Sequence, residues 1–146
     1  MNTRLSIAAF AVALLASAPA AAQTAQDSAA IRATALDYIE GWYTGDTARM
    51  QRAVHPELAK RIVTTDAQGR SQLSHMGAKT LVDYTREGGG RATPANKRRM
   101  DIRILDIYRG AAVVRVDATD WVDYLELARW NGRWVIVNVL WENRPR

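Results

Sequence analysis

The dipeptide Asn131-Gly132 separates two runs in which apolar and polar residues alternate, 121–130 and 133–143. This dipeptide is typical of a two-residue β-hairpin turn, because Asn and Gly tolerate the positive φ values that such a turn requires. Another pair of alternating runs precedes this hairpin, with a short turn of its own at Arg109-Gly110. The C-terminal half of the chain is therefore predicted to be a four-stranded antiparallel meander.

The length of the Asn131-Gly132 turn also determines which side chains of the hairpin share a face. A two-residue turn places Leu125 opposite Asn138 and Asp123 opposite Leu140. That face is predicted to comprise Trp121, Asp123, Leu125, Leu127, Trp134, Ile136, Asn138 and Leu140. The opposite face, which carries Tyr124 and a row of valines, is no more polar. We therefore expect a sheet that is covered on both sides or curves around an interior.

Before the triplet Gly88-Gly89-Gly90, apolar residues recur with the period of a helix. A stripe of apolar residues between Ile31 and Trp42 predicts a long helix that starts at Ser28 and stops at Gly45. Shorter helices are predicted over residues 47–54, 56–63 and 74–87. Helices come first and the meander last, without β-α-β alternation, so the predicted fold class is α+β.

Residues 1–22 have the order of a secretory signal peptide: a positive charge at Arg4, a short apolar run, and small residues up to Ala22. A run of about a dozen residues is too short to span a bilayer core about 30 Å thick. We expect a periplasmic or secreted protein, with no membrane contact after the signal is removed. Residues 23–27 are predicted to be a flexible leader. Residues 28–143 are predicted to form one domain without disulfides, since the chain has no cysteine.

The distribution of charge argues against nucleic acid as a partner. The formal net charge is +5, but the basic residues are scattered. The one cluster, Lys97-Arg98-Arg99, is interpreted as a solvated loop before a strand. With two histidines, no cysteine and none of the usual ligand spacings, neither a metal nor another cofactor is expected. The glycine triplet lacks the Lys-Ser/Thr of a phosphate-binding loop.

Three stretches of the sequence resemble a known family. They are Y-I-E-G-W-Y-T-G-D at 38–46, H-P-E-L-A-K-R at 55–61, and W-V-D-Y-L-E-L-A-R-W-N-G-R-W-V-I-V-N-V-L-W at 121–141. In order and spacing they resemble the putative lumazine-binding family, which belongs to the SnoaL-like part of the nuclear transport factor 2-like superfamily. The resemblance covers about residues 28–141.

This resemblance implies a cone, in which a curved four-stranded sheet wraps around the long N-terminal helix and leaves a pocket. Members of the superfamily include ketosteroid isomerases, polyketide cyclases, dehydratases and proteins without catalytic activity. The fold alone therefore does not select a function. Lys60 and Arg61 match the family's motif, and we expect them to serve in an ion pair.

The residues predicted to carry chemistry lie on the sheet and near the helix ends. Asp123, with apolar neighbours, is a candidate catalytic base, and His55 is a candidate proton donor. The candidate ligand-binding residues are Tyr38, Trp42, Tyr43, Trp121, Trp134 and Asn138. In simpler interpretations Asp123 and Asn138 satisfy ordinary hydrogen bonds, His55 is a surface or capping residue, and the aromatic residues form the core.

Three functions are compatible with these residues. The first is non-catalytic binding of a small, flat, partly apolar ligand in the cone. The second is a cofactor-independent isomerase, cyclase or dehydratase that uses Asp123 as base and His55 or a tyrosine as acid. The third is a homodimer or another interaction module formed through the open sheet face. That face is predicted to carry Tyr124, Val135, Val137, Val139 and Trp141.

Overall fold

The computed structural model describes residues 20–145, with side chains from Thr24 onward. The predicted signal peptide, residues 1–22, therefore lies almost entirely outside the described residues. In chain order the elements are α1 (Ala20–Thr44), α2 (Thr47–Ala53), β1 (Val54–Thr65), β2 (Ser71–Met76), α3 (Ala78–Glu87), a short 3-10 helix (Ala95–Lys97), β3 (Met100–Tyr108), β4 (Ala111–Ala118), β5 (Trp121–Trp130) and β6 (Arg133–Asn143). Within this part of the chain, no helix is both long and apolar enough to cross a membrane.

The strands form one sheet of six, in the order β2-β1-β6-β5-β4-β3. The last four strands in the chain form the predicted antiparallel meander, and the α+β class is confirmed. The prediction of only four strands is wrong, because β1 and β2 extend the sheet. β1 runs parallel to β6 and antiparallel to β2. α1 packs across one face, called the inner face, where it contacts β3, β4 and β6.

β1 occupies a segment that the sequence predicts to be a helix, residues 56–63. Leu58 and Ile62 are four residues apart, a spacing that suits one face of a helix and also one face of a strand. Both are buried in the structure, and so is Lys60 between them, whereas Arg61 is exposed. Pairing with β6 and β2 supplies the hydrogen bonds and the packing that favour the strand.

Two predicted segment boundaries are also wrong. Residues 23–27, predicted to be a flexible leader, belong to α1. The carboxylate of Asp27 anchors them by accepting hydrogen bonds from Arg129 and from the indole of Trp134 (3.3 Å). Residues 74–76, predicted to begin a helix, instead end β2. In both places a contact outside the segment overrides its local preference.

The predicted apolar stripe of α1 is confirmed as the helix face that meets the sheet. Gly45, with a φ of 71°, follows the last residue of this helix, as predicted. The stripe packs into one continuous core with the inner sides of the strands. Its almost completely buried members are Ile31, Ala35, Tyr38 and Ile39.

A β-bulge between β5 and β6 changes which residues share the inner face. Near the turn the register is as predicted, with Leu127 opposite Ile136. Beyond this pair the register shifts by one residue, so that Asp123 lies opposite Trp141. The predicted placement of Asp123 and Asn138 on one face is therefore wrong, because a shift of one residue moves the rest of β6 to the opposite face.

Candidate functional site

A cavity of ≈ 240 Å³ lies between α1, α3 and the inner face of the sheet. Three tryptophan rings form much of its wall, and its polar groups are few. The residues that line it are Tyr38, Trp42, Lys60, Met76, Leu81, Trp121, Trp141 and Asn143. Apolar walls with a small number of polar groups are typical of sites that bind small molecules.

Asp123 on β5 lies beneath this cavity and is completely buried. Its Oδ2 accepts hydrogen bonds from the indole Nε1 of Trp121 (2.6 Å) and from the hydroxyl of Tyr38 (3.2 Å). Its Oδ1 forms an ion pair with the Nζ of Lys60. Trp121 and Asp123 are two residues apart on one strand, so both side chains project to the same face. We refer to Asp123, Lys60, Tyr38 and Trp121 as the polar floor.

Lys60 reaches the polar floor from β1, with its side chain only 8% exposed. Besides its contact with Asp123, its ammonium donates a hydrogen bond to the hydroxyl of Tyr38 (2.8 Å). It also lies 4.8 Å from the centroid of the Trp141 ring. These contacts compensate for the loss of water around a buried charge. The expected ion pair of Lys60 is present, although it forms from a strand.

Burial changes the pKa of two groups in the polar floor. It lowers the pKa of Lys60, because the charged ammonium loses hydration, and the negative charge of Asp123 opposes this shift. It raises the pKa of Tyr38 well above its ordinary value, and the adjacent Asp123 carboxylate adds to that rise. Tyr38 therefore stays protonated and remains a hydrogen-bond donor at neutral pH.

The Trp42 ring packs directly on the backbone of the glycine triplet. A Cβ atom added at Gly89 or Gly90 would lie 2.5 Å from atoms of this ring, closer than any real side chain could approach. The same ring forms a T-shaped pair with Trp121, with ring centroids 6.2 Å apart and planes at 84°. The sequence predicts the triplet only as a helix stop, and the structure adds that it allows Trp42 to form part of the cavity wall.

Of the predicted ligand-binding residues, Tyr38, Trp42 and Trp121 line the cavity. They meet because Tyr38 and Trp42 are one helical turn apart on α1, and their side chains reach Asp123 and Trp121 at the start of β5. Asp123 lies directly beneath them. The structure therefore brings together four of the predicted site residues, and their part in binding or catalysis remains a prediction.

The other predicted ligand-binding residues lie elsewhere. Tyr43 is completely buried in the core. Trp134 is also buried, and its indole donates to Asp27 near the start of α1. Asn138 donates a hydrogen bond to Glu126 (2.9 Å) on the outer face of the sheet, the face away from α1. The bulge on β6 explains the error at Asn138.

His55 does not line the cavity. Its Nδ1 accepts a hydrogen bond from the amide of Glu57 (3.0 Å), and its ring packs edge-on against Trp130, with centroids 4.7 Å apart. Trp130 ends β5, at the opposite end of that strand from Trp121. The structure therefore does not bring His55 and Asp123, the two candidate catalytic residues, together. The ring of His55 accepts from the backbone of its own strand, and the helix that it was expected to cap is absent. Among the described residues, no group of three His, Asp or Glu side chains could hold a metal ion.

Sequence reasoning missed several residues of the cavity wall. They are Lys60, Met76, Leu81, Trp141 and Asn143. The alternation of Leu58, Lys60 and Ile62 would place Lys60 on an inner face if the segment were interpreted as a strand. The position of Trp141 depends on the bulge, for which the sequence offers no local signal.

A family model described as putative lumazine-binding matches residues 26–142 of this chain. The chain belongs to this family. The resemblance noted in the three sequence stretches is thereby confirmed over most of the chain. No curated protein shows a significant match to it.

Solved structures with the same fold include several proteins of low sequence identity. A nuclear transport factor 2-like protein from Shewanella baltica is 23% identical, with a TM-score of 0.68, and the match covers 84% of this chain and 97% of that chain. One from Methylobacillus flagellatus is 24% identical, with a TM-score of 0.63, over 82% and 94% of the two chains. One from Novosphingobium aromaticivorans, described with a cystatin-like fold, is 14% identical, with a TM-score of 0.62, over 84% of each chain. The fold of this chain is nuclear transport factor 2-like.

Proposed function

We propose that this protein binds a small, flat, partly apolar molecule in the cavity above the polar floor. The cavity itself carries the proposal: aromatic rings surround ≈ 240 Å³ above a cluster of hydrogen-bonded polar groups. Aromatic walls favour flat rings, and a few fixed polar groups orient them. This volume suits a single ring or a small fused bicycle, and the family's description names such a bicycle, lumazine.

The contacts of Asp123 favour binding over acid–base catalysis. Its carboxylate is engaged by three donors, and the ammonium of Lys60 balances its charge. A general base must come within hydrogen-bond reach of the proton that it removes. Asp123 is completely buried, so the alternative function, a cofactor-free isomerase, cyclase or dehydratase, requires the substrate to displace Lys60 or Tyr38.

Thermal-shift measurements with pterins, flavins, polyketides and steroids test the binding proposal. We expect the bicyclic pterins to raise the melting temperature, and steroids, which exceed the cavity, to have little effect. A ligand present at about 100 times its Kd stabilises the folded state by about 2.7 kcal/mol. The absence of a shift with every compound class would contradict the proposal.

Two tryptophan substitutions on β2 supply a matched pair of variants. Met76→Trp adds bulk at the cavity wall, whereas Leu73→Trp adds the same bulk on the same strand at a side chain that is 60% exposed. We expect Met76→Trp to abolish the ligand-induced shift and Leu73→Trp to retain it. An equal effect of the two substitutions would place the ligand outside the cavity.

We also propose that the outer face of the sheet joins two copies of this chain. The bulge turns Val139 and Trp141, predicted to belong to that face, to the inner side. It leaves Leu140 (57% exposed) opposite Tyr124 (40% exposed) on the outer face. Exposed apolar patches of this kind favour an interaction surface. Light scattering should give a dimer for the wild type and a monomer for Leu140→Lys, and a wild-type monomer at high concentration would exclude this homodimer.

We further propose that the chain is exported to the periplasm or the outside of the cell. The support is the charged, apolar and small-residue order of residues 1–22. Fractionation of cells that express the full chain should place it outside the cytoplasm, with a mature N-terminus at Gln23. Recovery of the uncleaved chain in the cytoplasm would contradict export.

A further inference from the structure

Lys60 is the buried member of the three lysines in this sequence. Its side chain is 8% exposed, whereas that of Lys79 is 90% exposed and Lys97 also lies on the surface. Its Nζ lies between the hydroxyl of Tyr38 and the ring of Trp141, and both of these residues line the cavity. A primary amine at the floor of an aromatic cavity can form a covalent bond with a carbonyl compound.

Such an amine must lose its proton before it can attack a carbonyl carbon. The carboxylate of Asp123 is in direct contact with Nζ and can accept this proton. The transfer turns a buried ion pair into a neutral amine and a neutral acid, so no net charge is created in the core. Burial already lowers the pKa of Lys60, which favours the neutral amine.

We propose that Lys60 forms a reversible imine with a small aromatic aldehyde or ketone held in the cavity, an inference that rests on the proposed function of the cavity as a ligand site. Nζ of the neutral amine adds to the carbonyl carbon, and the carbonyl oxygen takes the proton held by Asp123. Asp123 then removes a proton from the nitrogen, which gives the neutral carbinolamine. When Asp123 returns that proton to the hydroxyl group, the C–O bond breaks, water leaves, and a protonated imine remains beside the Asp123 carboxylate.

The neighbours of Lys60 suit both the addition to the carbonyl group and the imine that results. The hydroxyl of Tyr38, 2.8 Å from Nζ, keeps its proton and can donate a hydrogen bond to the carbonyl oxygen during the addition. The positively charged imine nitrogen takes the place of the ammonium against Asp123, so the charge balance of the polar floor is preserved. The tryptophan rings of the wall contact the aromatic part of the ligand and exclude water, which slows hydrolysis of the imine.

Borohydride trapping with benzaldehyde tests the proposal on the full chain. Reduction turns the imine into a stable benzylamine, and peptide mapping by mass spectrometry then identifies the labelled lysine. We expect label at Lys60 in about tenfold excess over Lys79 and Lys97, because neither exposed lysine has an aromatic cavity wall and a completely buried carboxylate beside it. Lys79 borders a second cavity, but that cavity has no aromatic lining, and the carboxylate that pairs with Lys79, Asp83, is partly exposed. Equal labelling of the three lysines, or labelling of the exposed pair alone, would overturn the proposal.

Because the three lysines are compared within the wild-type chain, this test does not depend on a variant that might misfold. As a further check, Lys60→Arg keeps a positive charge beside Asp123 but cannot form an imine, so we expect it to lose only the label at position 60. Benzyl alcohol, which has the ring but no carbonyl group, separates this inference from the proposed binding function. Thermal stabilisation by benzyl alcohol without trapping of benzaldehyde would overturn the imine alone. No stabilisation by benzyl alcohol and no trapping would count against both.

Discussion

Lys60 on β1 and Asp123 on β5 form a buried ion pair across β6, the strand that lies between them in the sheet. Their side chains are 8% and 0% exposed. The pair connects β1, a segment with a helix-like pattern, to the C-terminal meander. Transfer of both charges out of water costs free energy, which offsets much of their mutual attraction. The loss of one partner alone is strongly destabilising, because the other charge is then buried without a partner.

The first prediction concerns the energetic coupling of this pair. We expect Lys60→Met and Asp123→Leu each to lower the free energy of unfolding by about 3–5 kcal/mol, because each leaves an uncompensated buried charge. The double variant should be much more stable than the sum of the two losses implies. Urea unfolding of the four proteins measures the coupling. The exposed pair Lys79–Asp83 is the control, and we expect its coupling to be far weaker, because water screens both charges. If the stability losses of Lys60→Met and Asp123→Leu simply add in the double variant, the prediction of a coupled buried pair is contradicted.

The second prediction concerns the alkaline stability conferred by Tyr38. Its pKa in the folded protein lies well above the value of about 10 for an unfolded tyrosine. The raised pKa adds to the free energy of unfolding at every pH below about 10. This stabilisation is lost as the pH rises above that value, because the unfolded state then releases the Tyr38 proton and the folded state retains it. We expect Tyr38→Phe to lower the free energy of unfolding by about 1 kcal/mol at pH 7. Above pH about 10, the variant should lose stability less steeply than the wild type.

Unfolding curves at several alkaline pH values test the Tyr38 prediction, and tyrosinate absorbance reports its ionisation directly. Tyr84→Phe is the matched control, since Tyr84 is 45% exposed on α3. Parallel behaviour of the two variants above pH about 10 would show that Tyr38 titrates like a surface tyrosine.

The third prediction concerns acid stability and Asp117, a buried carboxylate on β4. Arg115, Arg103 and Arg144 all donate to it, and they hold its pKa far below the ordinary range. The resulting stabilisation is complete above the unfolded pKa of about 3.9 and is lost as the pH falls below that value. We expect Asp117→Asn to lower the free energy of unfolding by about 1–3 kcal/mol at pH 7. The difference from the wild type should shrink in acid.

Urea titrations between neutral pH and strong acid measure this difference. The control is Asp101→Asn, because Asp101 lies directly opposite Asp117 on β3 but is mostly exposed in its pair with Arg99. We expect the control to change stability by less than about 1 kcal/mol at any pH. If Asp117→Asn lowers the free energy of unfolding by the same amount at every pH, the negative charge of Asp117 is not what stabilises the fold.

The fourth prediction concerns the contact between Gly90 and Trp42. A Cβ atom at Gly90 would lie 2.5 Å from Cδ1 of Trp42 and 2.6 Å from its backbone oxygen, so the helix end or the loop must move. We expect Gly90→Ala to lower the free energy of unfolding by about 1–3 kcal/mol and to weaken ligand binding as Trp42 shifts. Gly110→Ala, where the nearest atom is 3.6 Å away, should change stability by less than about 0.5 kcal/mol. Equal stability of the two variants would contradict this close packing.

The parts of the fold that follow from local spacing could be predicted from the sequence. The hairpin at Asn131-Gly132 forms with the expected register near its turn, and the stripe from Ile31 to Ile39 meets the sheet as expected. The same reasoning failed at residues 56–63, where Leu58 and Ile62 satisfy the helical and the extended spacing equally well. Here hydrogen bonds to β6 and β2 select the strand.

The candidate site was only partly predictable for a related reason. Asp123, Tyr38, Trp42 and Trp121 could be proposed because each lies on a recognisable apolar face. Lys60 and Trp141 could not, since one depends on the pairing of β1 and the other on the bulge in β6. The pairing of β1 joins segments that are far apart in the chain, and the bulge is an extra residue within a hairpin that no turn residue marks.

The sequence by itself determined the fold class, the family, the C-terminal meander and the supply of aromatic side chains. It could do so because apolar periodicity and turn chemistry act over a few residues. Only the tertiary structure decided that β1 joins the sheet, that the bulge turns Trp141 inward and Asn138 outward, and that Lys60 neutralises Asp123 beneath the cavity. These features depend on backbone pairing and on the burial of charge between segments that meet only in the folded chain. No pattern within a few residues of the sequence therefore predicts them.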